Sequence, residues 1–158
     1  MIRLTAIEGP DCPDVMRIDR SDISEDWVDA LPDIMALHRY GLEHRLIGHT
    51  YVIYEADVCA GMLLIGEGIP WPCDPPELAG VPFYRLMGFV VDRSCRGRGI
   101  GSQALKMAIA AMYREYGPRP IVLGVQEDNL RAMRFYEAHG FIRNPDRDED
   151  DVYFLRYP

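Results

Sequence analysis

The chain has 158 residues, 48% of them hydrophobic and 27% charged, with a formal net charge of −8. That length suits one domain, expected to span residues 1–158 and to bury about two thirds of its unfolded surface, and the composition excludes extended disorder. The acidic balance opposes a nucleic-acid partner. Residues 1–8 hold no leader-like apolar run, and nothing approaches the roughly 20 apolar residues of a membrane span, so a cytoplasmic protein without membrane contact is expected.

Residues 1–8 alternate loosely and predict a first strand. Trp27, Leu31, Ile34 and His38 recur at helical spacing, with Ser24 and Asp26 as N-cap candidates. Pro32 lies inside that pattern and either kinks the helix or opens a second one at its first turn. Residues 50–54 and 58–65 are β-rich runs around a short polar step, which predicts a hairpin. Residues 66–82 form a proline- and glycine-rich loop, long enough to be functional. Residues 83–91 predict a strand. Residues 100–116 carry the strongest helical stripe, Ile100, Ala104, Ala108 and Met112, widened by Leu105 and Ile109 and ended by Gly117-Pro118. Residues 121–125 are wholly apolar, as in a buried strand. Asn129 caps a helix running to about His139, which Gly140 terminates. Residues 141–143 and 152–157 read as a last hairpin around an acidic loop, 146–151. This order predicts an α/β (α+β) domain, a mixed sheet flanked by helices. Cys12, Cys59, Cys73 and Cys95 lack metal-ligand or redox spacing and are expected to be free thiols.

The chemistry concentrates after residue 91. A strand ending there, a short loop and a helix opening near Gly99 leave unpaired N–H groups and positive dipole beside Arg96-Gly97-Arg98-Gly99-Ile100-Gly101. Glycines let an anion approach the backbone, and the two arginines offer fork-shaped donors for phosphate oxygens. The alternative is a glycine-rich turn with two solvated arginines. A Walker loop needs a lysine that is missing here. A dinucleotide fold needs a third glycine where Ser102 stands, hard against its first strand, although Glu127 could mimic the ribose-binding acid.

Arg96 to Gly101 resembles the Arg/Gln-x-x-Gly-x-Gly/Ala motif of the GNAT superfamily of N-acetyltransferases. Val91 matches that family's strand valine ahead of the motif. Asn129-Leu130-Arg131-Ala132-Met133-Arg134-Phe135-Tyr136-Glu137-Ala138-His139-Gly140-Phe141 resembles its Asn-x-x-Ala-x-x-x-Tyr-x-x-x-Gly-Phe pattern. Residues 1–82 match only in their order of elements. The resemblance implies a mostly antiparallel sheet of about seven strands, and acetyl-CoA as co-substrate with no metal. It implies that Arg96, Gly97, Arg98, Gly99, Ile100, Gly101 and Ser102 bind the pyrophosphate of coenzyme A. It implies that Phe89, Val90 and Val91 pair with the pantetheine arm through main chain, and that their strand splays from residues 121–125. Asn129 would contact the same arm besides capping its helix. Tyr136 would donate a proton to the departing thiolate, for which a phenol with a pKa of about 10 is suited. The acceptor would be a small-molecule or peptide amine attacking directly in a ternary complex, and a homodimer is common among relatives.

The general base is open. Arg85 occupies the position where some family members carry a glutamate. Glu67, Glu77, Glu127 and His38 are the candidates, or the amine arrives already neutral. Arg85 would recognise a substrate carboxylate or make an ion pair. Trp71 would be a lid aromatic or an anchor for its loop. The acidic run 146–151 would attract a cationic acceptor or simply be solvated. The missing glutamate also leaves open a non-catalytic acyl-CoA-binding module.

Overall fold

The structure, a computed structural model, describes residues 1–158. Its strands are β1 (Ile2–Ala6), β2 (Gly48–Glu55), β3 (Val58–Glu67), β4 (Tyr84–Val91), β5 (Ile121–Gln126), β6 (Ile142–Asp148) and β7 (Asp151–Arg156). They form one sheet in the order β1-β2-β3-β4-β5-β7-β6. Every neighbouring pair is antiparallel except β4–β5. The helices are α1 (Leu31–Glu43), α2 (Ile100–Tyr116) and α3 (Leu130–Ala138). This is the mixed, mostly antiparallel seven-stranded sheet that the resemblance implied.

The sheet is covered on both faces. One face packs on α2 and α3: Ile100, Ala104, Leu105, Ala108 and Met112 meet Leu63, Ile65, Leu86, Leu123, Val125 and Phe154. Withdrawing each large aliphatic side chain there from water contributes about 1.5–3 kcal/mol. The opposite face is covered by α1, through Ile34 and Met35 on Val52, Met62 and Val90, and by the proline-rich segment, through Leu78 on Phe83, Val122, Tyr153 and Leu155.

Two expected elements are corrected. The first helix begins at Leu31, with Pro32 in its first turn, so Pro32 opens a helix and does not kink one. Trp27 lies before it. The Arg20 guanidinium donates to the carbonyls of Ile23, Ser24, Val28 and Asp29, drawing those residues into a compact loop that a helix ladder would have to break. The acidic run is also no loop: Asp146 to Asp148 belong to β6 and Asp151 opens β7. Only Glu149 and Asp150 turn between them, Glu149 with φ 52°.

Two departures from regular pairing shape the middle of the sheet. β4 and β5 are paired only at Tyr84–Ile121 and Arg85–Val122; beyond those residues they part. On the other edge of β4, Met62 opposes Val90 while Leu64 opposes Met87, so Leu63 alone faces Gly88 and Phe89. This is a β-bulge, which leaves one residue off the ladder and re-aims the backbone around it. Gly88 makes it possible, with φ +59°, and a Cβ on it would stand 2.6 Å from Ile34 Cγ2 of α1.

Candidate active site

The parting strands open a groove of about 640 Å³ that runs between the sheet faces. Its walls come from β4 and the bulge, β5, the start of α2, α3, residues 22–29, and the β6–β7 hairpin.

On the α2 side lies the glycine segment. Asp92 accepts from Ser94 N at 2.9 Å and fixes the turn after β4. Gly97 and Gly99 have φ +78° and +76°, and a Cβ on either would meet nothing within 4 Å. No side chain caps α2, whose first N–H groups are left for another acceptor. Arg96 Nε donates to Val91 O at 3.0 Å and Nη1 to Asp22, while Nη2 is buried with no partner. A buried donor of this kind is costly unless something supplies an oxygen. The Arg96 hydrogen bond, partly offset by desolvation, holds Asp22 below the usual carboxylate range.

The expected site residues are not all alike. Arg98 turns away and pairs with Glu55 at 2.8 Å; it does not line the groove. The Val90 side chain packs in the α1 core, so only its main chain is available, while Phe89 and Val91 line the groove. The Ile100 side chain is likewise buried, although its residue opens α2 at the groove. Gly101 lets α2 sit against Val91, Phe89 and Phe135, which a Cβ there would meet at 3.5, 3.7 and 3.9 Å. Asn129 Oδ1 accepts from Ala132 N at 3.3 Å and caps α3. Tyr136, two residues before the end of α3, packs edge-on to Phe135 and Phe141 at ring distances of 5.3 and 5.5 Å. It lines the groove, and burial pushes the phenol well above its ordinary pKa. Sequence reasoning missed His139. Its Nδ1 lies 2.6 Å from Phe135 O and its Nε2 2.6 Å from Ser102 Oγ. A carbonyl only accepts, so Nδ1 carries a hydrogen, and in the neutral ring Nε2 accepts from Ser102.

None of the four candidate bases lines the groove. His38 is buried between Thr50 Oγ1 at 2.8 Å and Gly9 O at 2.7 Å, a satisfied core histidine. Glu77 accepts from Asn144 Nδ2 at 2.6 Å, Glu127 pairs with Arg147 at 2.8 Å, and Glu67 ends β3 on the surface. The carboxylates that do line it are Asp22, Asp26, Asp29, Asp148 and Asp151.

Arg85 makes the ion pair. Only 4% exposed, it donates to Asp74 Oδ2 at 2.7 Å and Ile69 O at 3.1 Å. Trp71 stacks 3.6 Å from its guanidinium and also walls the groove, so the tryptophan anchors its loop and shapes the site. Burial raises the Asp74 carboxyl, but hydrogen bonds from Arg85, Trp71 N–H and Tyr153, with the Arg85 charge, outweigh it and hold the pKa low.

A mixed sheet parted at its one parallel pair, with a bulged strand on one bank and an uncapped glycine-rich helix start beside it, defines an acyl-CoA N-acyltransferase fold. The sequence matches the family model described as acetyltransferase (GNAT) family over residues 12–141, and the chain belongs to that family. A probable spermine N(1)-acetyltransferase of Bacillus subtilis subsp. natto (strain BEST195) is 33% identical over 60 residues, 38% of this chain and 40% of that protein. The chain thus aligns with about two fifths of that relative's length. An acetyltransferase from Thermus thermophilus has the same fold, with TM-score 0.72 and 21% identity over 99% of this chain and 97% of that one. So does Arabidopsis thaliana Naa50, solved in complex with the bisubstrate analogue CoA-Ac-MVNAL, with TM-score 0.66 and 18% identity over 98% and 96%.

Proposed function

We propose that the chain transfers an acetyl group from acetyl-CoA to a primary amine of a small molecule or peptide, with both substrates held in the groove at once. The observation that carries this is the slot between β4 and β5, entered from the α2–α3 face beside an open anion cradle and from the α1 face beside free carboxylates. The cradle fits a pyrophosphate. Gly97 and Gly99 leave clear space above the backbone, α2 begins uncapped, and buried Arg96 Nη2 lacks an acceptor. Acetyl-CoA supplies an acetyl group already activated as a thioester. Arg96, Gly97, Gly99, Ile100, Gly101 and Ser102 bind its pyrophosphate, the last four largely through main chain, and Arg98 contributes charge from outside the groove. Main chain of Phe89, Val90 and Val91 binds the pantetheine arm, and Asn129, whose Oδ1 is committed to α3, offers its amide nitrogen. The re-aimed amides at the Gly88 bulge polarise the thioester carbonyl. Tyr136 gives its proton to the leaving sulfur.

The acceptor class is supported by relatives named for a polyamine and by one solved with a peptide-bearing bisubstrate analogue. Thiol release from acetyl-CoA, followed with spermidine, a lysine-bearing peptide and glycinamide, tests the proposal, with mass spectrometry of the product. Amine-dependent thiol release and an acetylated amine are expected. Tight acetyl-CoA binding with no transfer to any of them identifies a non-catalytic module, and an acetylated hydroxyl would redirect the acceptor class.

A further inference from the structure

Arg85 occupies the position of the strand glutamate and is locked to Asp74, so the groove needs its proton acceptor elsewhere. Five carboxylates line it, and their surroundings differ. Asp22 is bound to Arg96. Asp26 and Asp29 lie on the loop gathered by Arg20. Asp148 and Asp151 stand directly opposite each other on β6 and β7. Like charges in facing positions weaken a hairpin, so this pair lowers stability where it sits.

Asp151 is distinguished by where the fold puts it. It alternates with Val152, so it shares the sheet face of Tyr153 and Leu155, which is the face covered by α1 and the proline-rich segment. Tyr136 packs with the core of the other face. The two residues therefore border one slot from its two sides. Asp151 also leans over β5. A Cβ on Gly124 would lie 3.2 Å from its Oδ2, so that glycine clears the place of the carboxylate. Counting on from the Arg85–Val122 pair, Gly124 stands level with Met87, beside the Gly88 bulge. Asp151 makes no ion pair and its carboxylate accepts no hydrogen bond from the chain; of the arginines on the same hairpin and in the groove, Arg147 is paired with Glu127 and Arg85 with Asp74, while Arg131 of α3 pairs with no carboxylate.

We propose that Asp151 is the proton acceptor for the attacking amine. The inference rests on the transfer reaction proposed above. The acceptor enters as an ammonium ion from the α1 face and gives one proton to Asp151, which passes it to water. The freed lone pair forms the C–N bond to the acetyl carbon, and the C–S bond breaks. Tyr136 protonates the leaving sulfur, and the second proton lost from nitrogen restores the phenol. The products are the amide, free coenzyme A and one proton in solution. Burial, followed by the charges of Asp148, Asp150, Asp29 and Glu149, raises the Asp151 pKa, which makes its carboxylate a stronger base.

The test is D151N in the full chain, with the same three acceptors, acetyl-CoA affinity by calorimetry and a thermal midpoint as a check on folding. Expected is a fall of roughly 100-fold in kcat/KM at neutral pH for spermidine and the peptide. The loss should shrink as pH rises toward the amine pKa, and should be smaller throughout for the less basic glycinamide. Acetyl-CoA affinity should hold and the midpoint should not fall, since the variant removes a like charge. An unchanged rate, or a loss equal at every pH and for every amine, overturns the role of Asp151 and leaves the transfer reaction standing. Wild-type protein that acetylates none of the three amines overturns the transfer reaction, and this inference with it.

Discussion

The acid role proposed for Tyr136 requires that the phenol keep its proton, and its surroundings enforce that. The ring is enclosed by Phe135 and Phe141, and desolvation lifts the phenol above its ordinary value near 10, so it stays protonated through the physiological range. Tyr136→Phe should lower kcat by about 10²-fold or more while leaving acetyl-CoA affinity nearly intact, as measured by thiol release and calorimetry. The raised pKa also gives a sign: below pH of about 10 the wild-type rate should show no falling limb from this phenol. Unchanged kcat in the Phe variant removes Tyr136 from the reaction. Asp74 illustrates a residue whose work is structural. It neutralises an arginine that is 4% exposed and also accepts from Trp71 N at 2.8 Å and Tyr153 at 3.1 Å. Asp74→Ala strands that guanidinium and should cost about 3 kcal/mol in urea unfolding, with loosening of the loop that carries Trp71. The Asp74 pKa is lower folded than unfolded. Its contribution is therefore present above the unfolded value near 3.9 and is lost as pH falls through the lower folded value, so the difference between wild type and variant should narrow in acid.

Among the elements, β4 does most to make a site, and it does so through one residue. Gly88 combines a left-handed backbone with a place where any Cβ would run into Ile34. Gly88→Ala should cost about 1–3 kcal/mol for the backbone alone, read from the unfolding midpoint. It should also depress kcat beyond any loss of folded protein, because the bulge aims the amides proposed to meet the thioester. A variant that is less stable yet turns over normally per folded molecule would separate the bulge from the chemistry. Elements with local signals were legible in the sequence. α2 spans the residues its stripe marks, and Asn129 caps α3 as its position before the run suggested. Periodicity misled at Trp27, because the force that holds residues 20–29 is a guanidinium reaching across the chain to four carbonyls, which no spacing encodes. The half of the groove proposed to hold the cofactor was legible because one strand–loop–helix segment and the helix after β5 build it. The acceptor half was not. It depends on β7 inserting between β5 and β6, which brings Asp151 over Gly124 and sets Asp148 opposite Asp151, and on the segments 22–29 and 68–82 folding over the other face. A glycine within an apolar strand at 124, and another at 88, were the available hints that something approaches the backbone closely there.

At the scale of the molecule, the net charge of −8 is not spread evenly with respect to function. The groove wall carries five aspartates against three arginines; Arg96 is paired with Asp22 and Arg85 with Asp74, which leaves four unpaired aspartates facing one unpaired arginine, Arg131. Low-dielectric walls focus such a field, so a cation is concentrated at the mouth before any specific contact is made. The effect belongs to encounter and binding, which screening weakens, and not to bond-making at the thioester. The screening length falls from about 10 Å at 0.1 M salt to about 3 Å at 1 M, so the field of the outer aspartates is lost over that range while short contacts persist. Spermidine, carrying several charges, should therefore show a KM that rises severalfold between roughly 0.1 and 1 M sodium chloride, with kcat nearly constant. Glycinamide, with one charge at most, should respond far less. D29N should flatten the spermidine slope without abolishing turnover, since Asp29 lines the groove from the 22–29 segment and adds to the negative charge felt by Asp151 without being the proposed proton acceptor. Steady-state kinetics at fixed saturating acetyl-CoA measure all three. Equal salt slopes for the two amines would mean that the acidic wall guides neither, and that acceptor choice rests on shape alone.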